Sequence, residues 1–352
     1  MKKLLAMSMV LAMTMGMLTG CGSSAAPADE AVAETTAAEA ATENAAETVE
    51  TEGAAEDQAA ADGKTYKIGV IQLVEHAALD QSNKGFIDAL NEAGLNYEVD
   101  QQNAQGDQSA CQTIAEKLVN DQNDLILAIA TPAAQAVAGA TTEIPILVTA
   151  VTDPADAGLV ESNEVPGGNV SGTSDLTPVK EQIELLQKLL PDAKKVGILY
   201  CSAESNSEFQ ANMAVEACDA AGLEHEIFTV SSSNEIQSVV ESMTSKVDVI
   251  YAPTDNTIAA GMATVAMVAN ENGIPTICGE EGMVEAGGMA TYGIDYYQLG
   301  YMAGKQAVDI LVNGADISKM PIGYLSAEEC TLATNEETAE TLGVDLSVLD
   351  AE

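Results

Sequence analysis

The chain has 352 residues, 55 of them acidic, with thirteen lysines and no arginine, for a formal net charge of −42. A surface this anionic repels nucleic acid and anionic lipid, so neither is an expected partner. Without a guanidinium fork, an anionic ligand group has to be held by backbone N–H groups, hydroxyls or a lysine, which disfavours phosphates and dicarboxylates.

In chain order, Lys2 and Lys3 precede an apolar run, Leu4 to Leu18, that ends in Leu18-Thr19-Gly20-Cys21. About 15 apolar residues are too few to span a bilayer, where about 20 are needed. A basic start, a short apolar core and small residues read instead as a secretory signal over residues 1–20. The stretch resembles a bacterial lipoprotein lipobox. That resemblance implies a Cys21 that is diacylated with palmitate-type chains, becomes the first mature residue and anchors the protein outside the cytoplasm. Residues 22–62 carry eleven acids and no base among Ala, Glu and Thr. With so few large apolar side chains to offset ordering entropy, residues 21–63 read as a solvated tether.

The 290 residues from Gly63 onward suffice for two domains. Lys67 to Leu73 reads as a buried parallel strand, Asp80 to Ala93 as a helix stopped by Gly94, and Tyr97 to Asp100 as a strand. A helix Ser109–Asn120, a strand Asp124–Ala128, a helix from Pro132 and a strand Pro145–Val148 follow. Regular alternation implies parallel sheets flanked by helices. The series then recurs: Lys67-Ile-Gly-Val-Ile71 matches Lys195-Val-Gly-Ile-Leu199, and Ala93-Gly-Leu95 matches Ala221-Gly-Leu223. Asp124-Leu-Ile126 matches Asp248-Val-Ile250, and Ile144-Pro145 matches Ile274-Pro275. Four pairs in one order argue for two α/β lobes of one plan, with a cleft at their strand ends, where open sheets bind ligands.

The segments Glu75-His-Ala-Ala-Leu-Asp80, Val151-Thr-Asp-Pro154, Asn169-Val-Ser-Gly-Thr-Ser-Asp175, Pro253-Thr-Asp-Asn256 and Ala290-Thr-Tyr-Gly-Ile-Asp-Tyr-Tyr297 resemble the ABC-transporter substrate-binding lipoproteins. Within that family they look most like the branch associated with tryptophan and tyrosine uptake. The resemblance implies a type I periplasmic-binding fold whose chain crosses between lobes three times, on three parallel hinge strands. Crossings are expected near Thr173–Asp175, Gly293–Tyr296 and Tyr324–Ala327, with a helix Leu299–Val312 returning to the first lobe. The first lobe then comprises 64–175 plus 296–323, and the second 176–295 plus 324–352. It also implies an ABC permease and its ATPase as partners. A monomer is expected.

Candidate site residues lie after strands. Glu75, His76 and Asp80 follow the first strand, and Asp80 is equally a candidate helix cap. Thr131, before Pro132, opens a helix whose N–H groups suit a carboxylate. Thr149, Ala150 and Asp153 leave the fourth strand, with a plain turn before Pro154 as the bland reading. Ser205, Asn206, Asp255 and Asn256 precede second-lobe helices, and Ser205 and Asn256 are also candidate N-caps. Glu280 follows a strand, while Tyr292 and Asp295 flank the second crossing. One or two of Asp153, Asp255, Glu280 and Asp295 would pair with an ammonium, and Tyr292 or Tyr296 would stack on an aromatic side chain. The receptor is one for a zwitterion, first of all an amino acid. No cofactor is expected, and no metal, because His225 lies far from His76.

Rival functions find less in the residues. There is no G-x-G-x-x-G, P-loop, G-x-S-x-G or Ser–His–Asp set, so an enzyme is not expected. A transcriptional regulator would need a basic DNA-binding domain where the signal and acidic tether stand. A ligand-presenting sensory protein, or an importer protein for a nucleoside or sugar, stays open.

Overall fold

The computed structural model describes residues 63–326 and 329–349, so the expected signal, Cys21 and nearly all of the tether lie outside the described residues. Strands β1 (Tyr66–Gln72), β2 (Tyr97–Asn103), β3 (Leu125–Ile129), β4 (Ile146–Val151) and β5 (Val170–Ser174) form a parallel sheet in the order β2-β1-β3-β4-β5. Helices α1 (Ala77–Glu92), α2 (Gln108–Asn120) and α3 (Thr131–Ala140) connect its strands. The chain then builds β6 (Lys195–Cys201), β7 (Glu224–Val230), β8 (Val249–Ala252), β9 (Thr276–Cys278) and β10 (Ala290–Gly293) into a second sheet. Its order, β7-β6-β8-β9-β10, repeats the first, and β11 (Thr331–Thr334) adds antiparallel to β10. Its helices are α4 (Val179–Leu189), α5 (Ser205–Ala221), α6 (Ile236–Met243), α7 (Asn256–Ala260), α8 (Met262–Glu271) and α9 (Glu281–Glu285). Helix α10 (Tyr296–Leu311) packs on the first sheet, and α11 (Glu336–Leu342) on the second.

The repeated sequence pairs do the same jobs in each lobe. Asp124 Oδ2 accepts from Lys67 N at 2.8 Å, and Asp248 Oδ2 accepts from Lys195 N at 2.9 Å, so each aspartate tethers the first strand of its sheet. Gly94 and Gly222 take φ of +66° and +71°, the left-handed turn that ends α1 and α5 at negligible steric cost. Leu95 N then bonds back to Leu90 O, and Leu223 N to Cys218 O. Central strands β1, β3 and β4 are mostly apolar and buried, whereas the outer strands β2 and β7 are largely open to solvent.

The chain passes between the sheets after β5, between β10 and α10, and between Gly323 and β11. Gly323, at the start of the third crossing, pairs parallel with Thr173 of the first, and β11 beyond it runs antiparallel to β10. A strand entering from the far end of the sheet can satisfy the β10 edge only in that direction.

Helix α10 returns against α1 through a seam of small residues. Gly300 lets α10 lie on the Ser82 carbonyl, where any Cβ would overlap that backbone oxygen. Gly300→Ala should therefore destabilise the protein by about 2 kcal/mol or more, measured by urea unfolding, because neither backbone can move aside cheaply. A loss under about 0.5 kcal/mol would mean that the seam is not tightly packed.

Candidate functional site

The loops at the ends of β1, β5, β8 and β9 converge on one small cavity between the sheets. It measures about 10 Å³ and is lined by His76, Leu79 and Tyr296 from the first lobe, Asp175 of the first crossing, and Thr254, Asp255, Asn256, Ala259 and Glu280 from the second lobe. Hydrogen bonds close the rim. His76 Nε2 lies 3.2 Å from Asn256 Oδ1, Gln210 Nε2 donates to Thr152 Oγ1 at 3.1 Å, and Gln108 Nε2 donates to Ala203 O at 2.6 Å. The two lobes are shut on each other.

Three of the nine lining residues carry a carboxyl group. Asp255 is the N-cap of α7, accepting from Ile258 N at 2.7 Å, and its other oxygen accepts from Cys201 N at 2.5 Å. Burial raises its pKa, and the facing Glu204 raises it further. Glu280 caps α9 through Gly282 N at 2.6 Å, and burial pushes it up to about 7. Asp175 accepts from the Tyr296 hydroxyl at 2.7 Å, and burial lifts it to about 6 against the pull of that bond. No lysine lines the cavity. Three acceptor atoms around it are buried without a partner: His76 Nδ1, Asp175 Oδ1 and Asn206 Oδ1. Such atoms cost free energy unless something donates to them.

Of the residues singled out in the sequence, His76, Asp255, Asn256 and Glu280 meet at this cavity. Asn206 lies beside it, its amide donating to Thr254 O at 3.3 Å. Ser205 stands at the rim, its Oγ 3.5 Å from Gln135 Nε2 of α3. Thr131 is buried in the first turn of α3, behind Ala130 at φ +83°, and Ala150 takes φ +54° inside β4. Non-glycine residues in that region mark backbone that the surroundings hold under strain, commonly at binding sites.

The remaining candidates sit elsewhere. Glu75 and Asp80 line a groove of about 610 Å³ made wholly from the first lobe. Asp80 is not the cap of α1, a position held by His76; it accepts instead from Gln72 Nε2 at 2.7 Å. Helix α1 starts three residues earlier than expected, because Ala78 and Leu79 extend its buried apolar face. Thr149 Oγ1 faces inward, 3.0 Å from Thr173 Oγ1. Asp153 is bound into its own turn by Ala155 N at 2.9 Å and Asn163 Nδ2 at 3.1 Å, which is the bland reading of that aspartate. Tyr292 turns towards Pro178, Leu185 and Cys330 in the second lobe, away from the cleft. Asp295 is exposed, caps α10 through Gln298 N, and shares with Glu280 and Tyr296 a neighbouring groove of about 330 Å³. The caps of α5 and α7 are Glu204 and Asp255, each one residue before the expected Ser205 and Asn256.

Tyr296, named in the sequence as a stacking candidate, also lines the cavity, whereas sequence reasoning missed Asp175 and Glu204 as site residues. Glu204 is 3% exposed, and its two oxygens take Asn256 Nδ2 at 2.6 Å and Thr257 N at 2.9 Å. An acid directly before Ser205 was the available signal.

Two lobes of one plan, joined by three crossings and shut over buried carboxyl groups, define a two-lobed ligand-binding protein of the type I periplasmic-binding fold. The chain belongs to the ABC transporter substrate-binding protein family, whose profile matches residues 67–348. It is 44% identical over 301 residues to the tyrosine-binding protein of Clostridioides difficile strain R20291, covering 84% of this chain and 86% of that one. It also resembles an ABC domain from Streptococcus pneumonia in complex with L-Trp, with a TM-score of 0.78 and 42% identity over 82% of this chain and 98% of that one. A ligand-free, open substrate-binding protein with adhesive properties from Clostridium difficile fits with a TM-score of 0.61 at 44% identity, over 80% and 95%. At nearly equal identity the ligand-bound structure is the better fit, as lobes that are shut here would produce.

Asp175 and Glu280 ionise near 3.8 and 4.5 when unperturbed, and near 6 and 7 in the closed fold. Between those values the folded protein holds protons that the unfolded chain has released, so stability falls as pH rises through the window and the full cost is reached above it. The ligand-free protein should lose thermal stability from about pH 4 to about pH 7, and Asp175→Asn should flatten that fall. An identical slope in the variant would exclude Asp175 as a contributor.

Proposed function

We propose that this protein is an extracytoplasmic lipoprotein, anchored through Cys21, that captures an aromatic amino acid and hands it to an ABC permease driven by its ATPase. The observation that carries the reading is the set of buried carboxyl groups, Asp175, Asp255 and Glu280, around a closed cavity without a counter-cation. An ammonium group supplies that charge, and a charged hydrogen bond contributes about 1.5–3 kcal/mol. The first turns of α3 and α5, with Thr131 and Ser205, present N–H groups suited to the carboxylate of the same zwitterion. Tyr296, with its hydroxyl held by Asp175, offers the aromatic wall. The tyrosine and tryptophan bound by its relatives agree with that chemistry.

Closure moves one lobe, 64–175 plus 296–323, against the other, 176–295 plus 324–352, about the three crossings. The protein acts as a monomer and releases its ligand unchanged.

Thermal-shift measurements with L-tyrosine and L-tryptophan test this. At about 100 times Kd, a ligand selective for the folded protein stabilises it by about 2.7 kcal/mol, which is several degrees. Asp175→Asn should weaken binding about tenfold or more, because the charged acceptor becomes a neutral one. No shift with either amino acid, alongside a clear shift with a sugar or a nucleoside, would overturn the ligand class.

A further inference from the structure

The carboxamide of Asn256 joins the two lobes in one defined orientation. Its Nδ2 donates to Glu204 Oε2 at 2.6 Å, and the reversed amide would set two oxygens against each other. Its Oδ1 therefore faces His76 Nε2 at 3.2 Å. An amide oxygen only accepts, so Nε2 must carry the hydrogen. Burial lowers the pKa of His76, against the opposing influence of Asn256, Glu204 and Asp80, so the ring is neutral. A neutral ring protonated on Nε2 has a bare lone pair on Nδ1. That atom is buried and has no partner. Glu204, itself fixed by Thr257 N and Oγ1, thus sets the tautomer of a histidine in the opposite lobe.

A neutral acceptor beside anionic ones divides the labour within the cavity. The ligand's ammonium goes to the carboxylates, which bind charge more strongly. Leu79 and Ala259 line the same cavity as His76 and offer a ligand side chain no competing acceptor. We propose that His76 Nδ1 accepts from a neutral N–H or O–H on the ligand's side chain, so that His76 distinguishes a donor-bearing aromatic ring from a plain hydrocarbon one. This assignment rests on the amino-acid reading of the cleft.

Calorimetric titration of the wild type, His76→Phe and His76→Gln with L-tyrosine, L-tryptophan and L-phenylalanine tests it. The wild type should bind tyrosine or tryptophan at least about tenfold more tightly than phenylalanine, because phenylalanine leaves Nδ1 buried and unpaired. In His76→Phe that ratio should fall to within about twofold, and His76→Gln, which keeps a carbonyl acceptor, should restore part of it. Loss of the cross-lobe bond weakens all three ligands alike, so the ratio within each variant isolates the acceptor. His76→Ala replaces His76→Phe should the latter not fold. A wild type that does not discriminate against phenylalanine, or a ratio unchanged in the variants, overturns the assignment while leaving the amino-acid reading intact. A wild type that binds none of the three removes that reading and the assignment together.

Discussion

Shutting the cleft takes carboxyl groups out of water without giving them a cation, and the rest of the molecule is organised around that constraint. Burial of an unpaired carboxylate is costly enough that the group takes up a proton instead. Asp175 and Glu280 respond in that way, with values near 6 and 7. A cationic ligand group relieves the same cost without a proton. On the proposed reading the ligand is then a structural component of the closed state, because only that state would surround its ammonium from both lobes. Differential affinity of this kind is what allows a small molecule to shift a hinge equilibrium.

The duplicated plan is what makes such a site possible. Identical strand orders set equivalent strand ends face to face, so helix caps from each lobe point at one place. Most of the carboxylates there cap helices as well as line the cavity. Asp255 and Glu280 each satisfy backbone N–H groups of the helix they begin, which holds them in place before any ligand arrives. Asp175, in the first crossing, is tied to Tyr296 just beyond the second. A hydrogen bond therefore joins the first crossing to the Tyr296 side of the cavity.

The fold was legible because its signals are local and repeated. Asp124 and Asp248 tether matching strands, and Gly94 and Gly222 end matching helices in a conformation that glycine adopts freely. Helix starts were less legible where two polar residues adjoin: Asp255 caps α7 in place of Asn256, and Glu204 takes the position before α5 while its carboxylate binds Asn256 and Thr257. The site was legible only in part. Asp175 is distant in sequence from Tyr296 and read only as a crossing residue; its place beside Tyr296 in the cleft exists only once both crossings are folded. Tyr292 and Tyr296 are four residues apart, yet one belongs to a strand facing α4 and the other opens a helix facing the cavity. Asp153 follows a strand just as a ligand-binding residue would, and only its bonds to Ala155 N and Asn163 Nδ2 reveal a turn.

Small-angle scattering with paired ligands tests the central claim most directly, using L-tyrosine and its analogue that lacks only the amino group. If a cation is what permits the acidic cleft to shut, L-tyrosine contracts the protein and the deaminated analogue leaves it extended even at a large molar excess. Equal contraction with both would show that the lobes close without any charge being supplied to Asp175, Asp255 and Glu280, and the account would be wrong at its foundation.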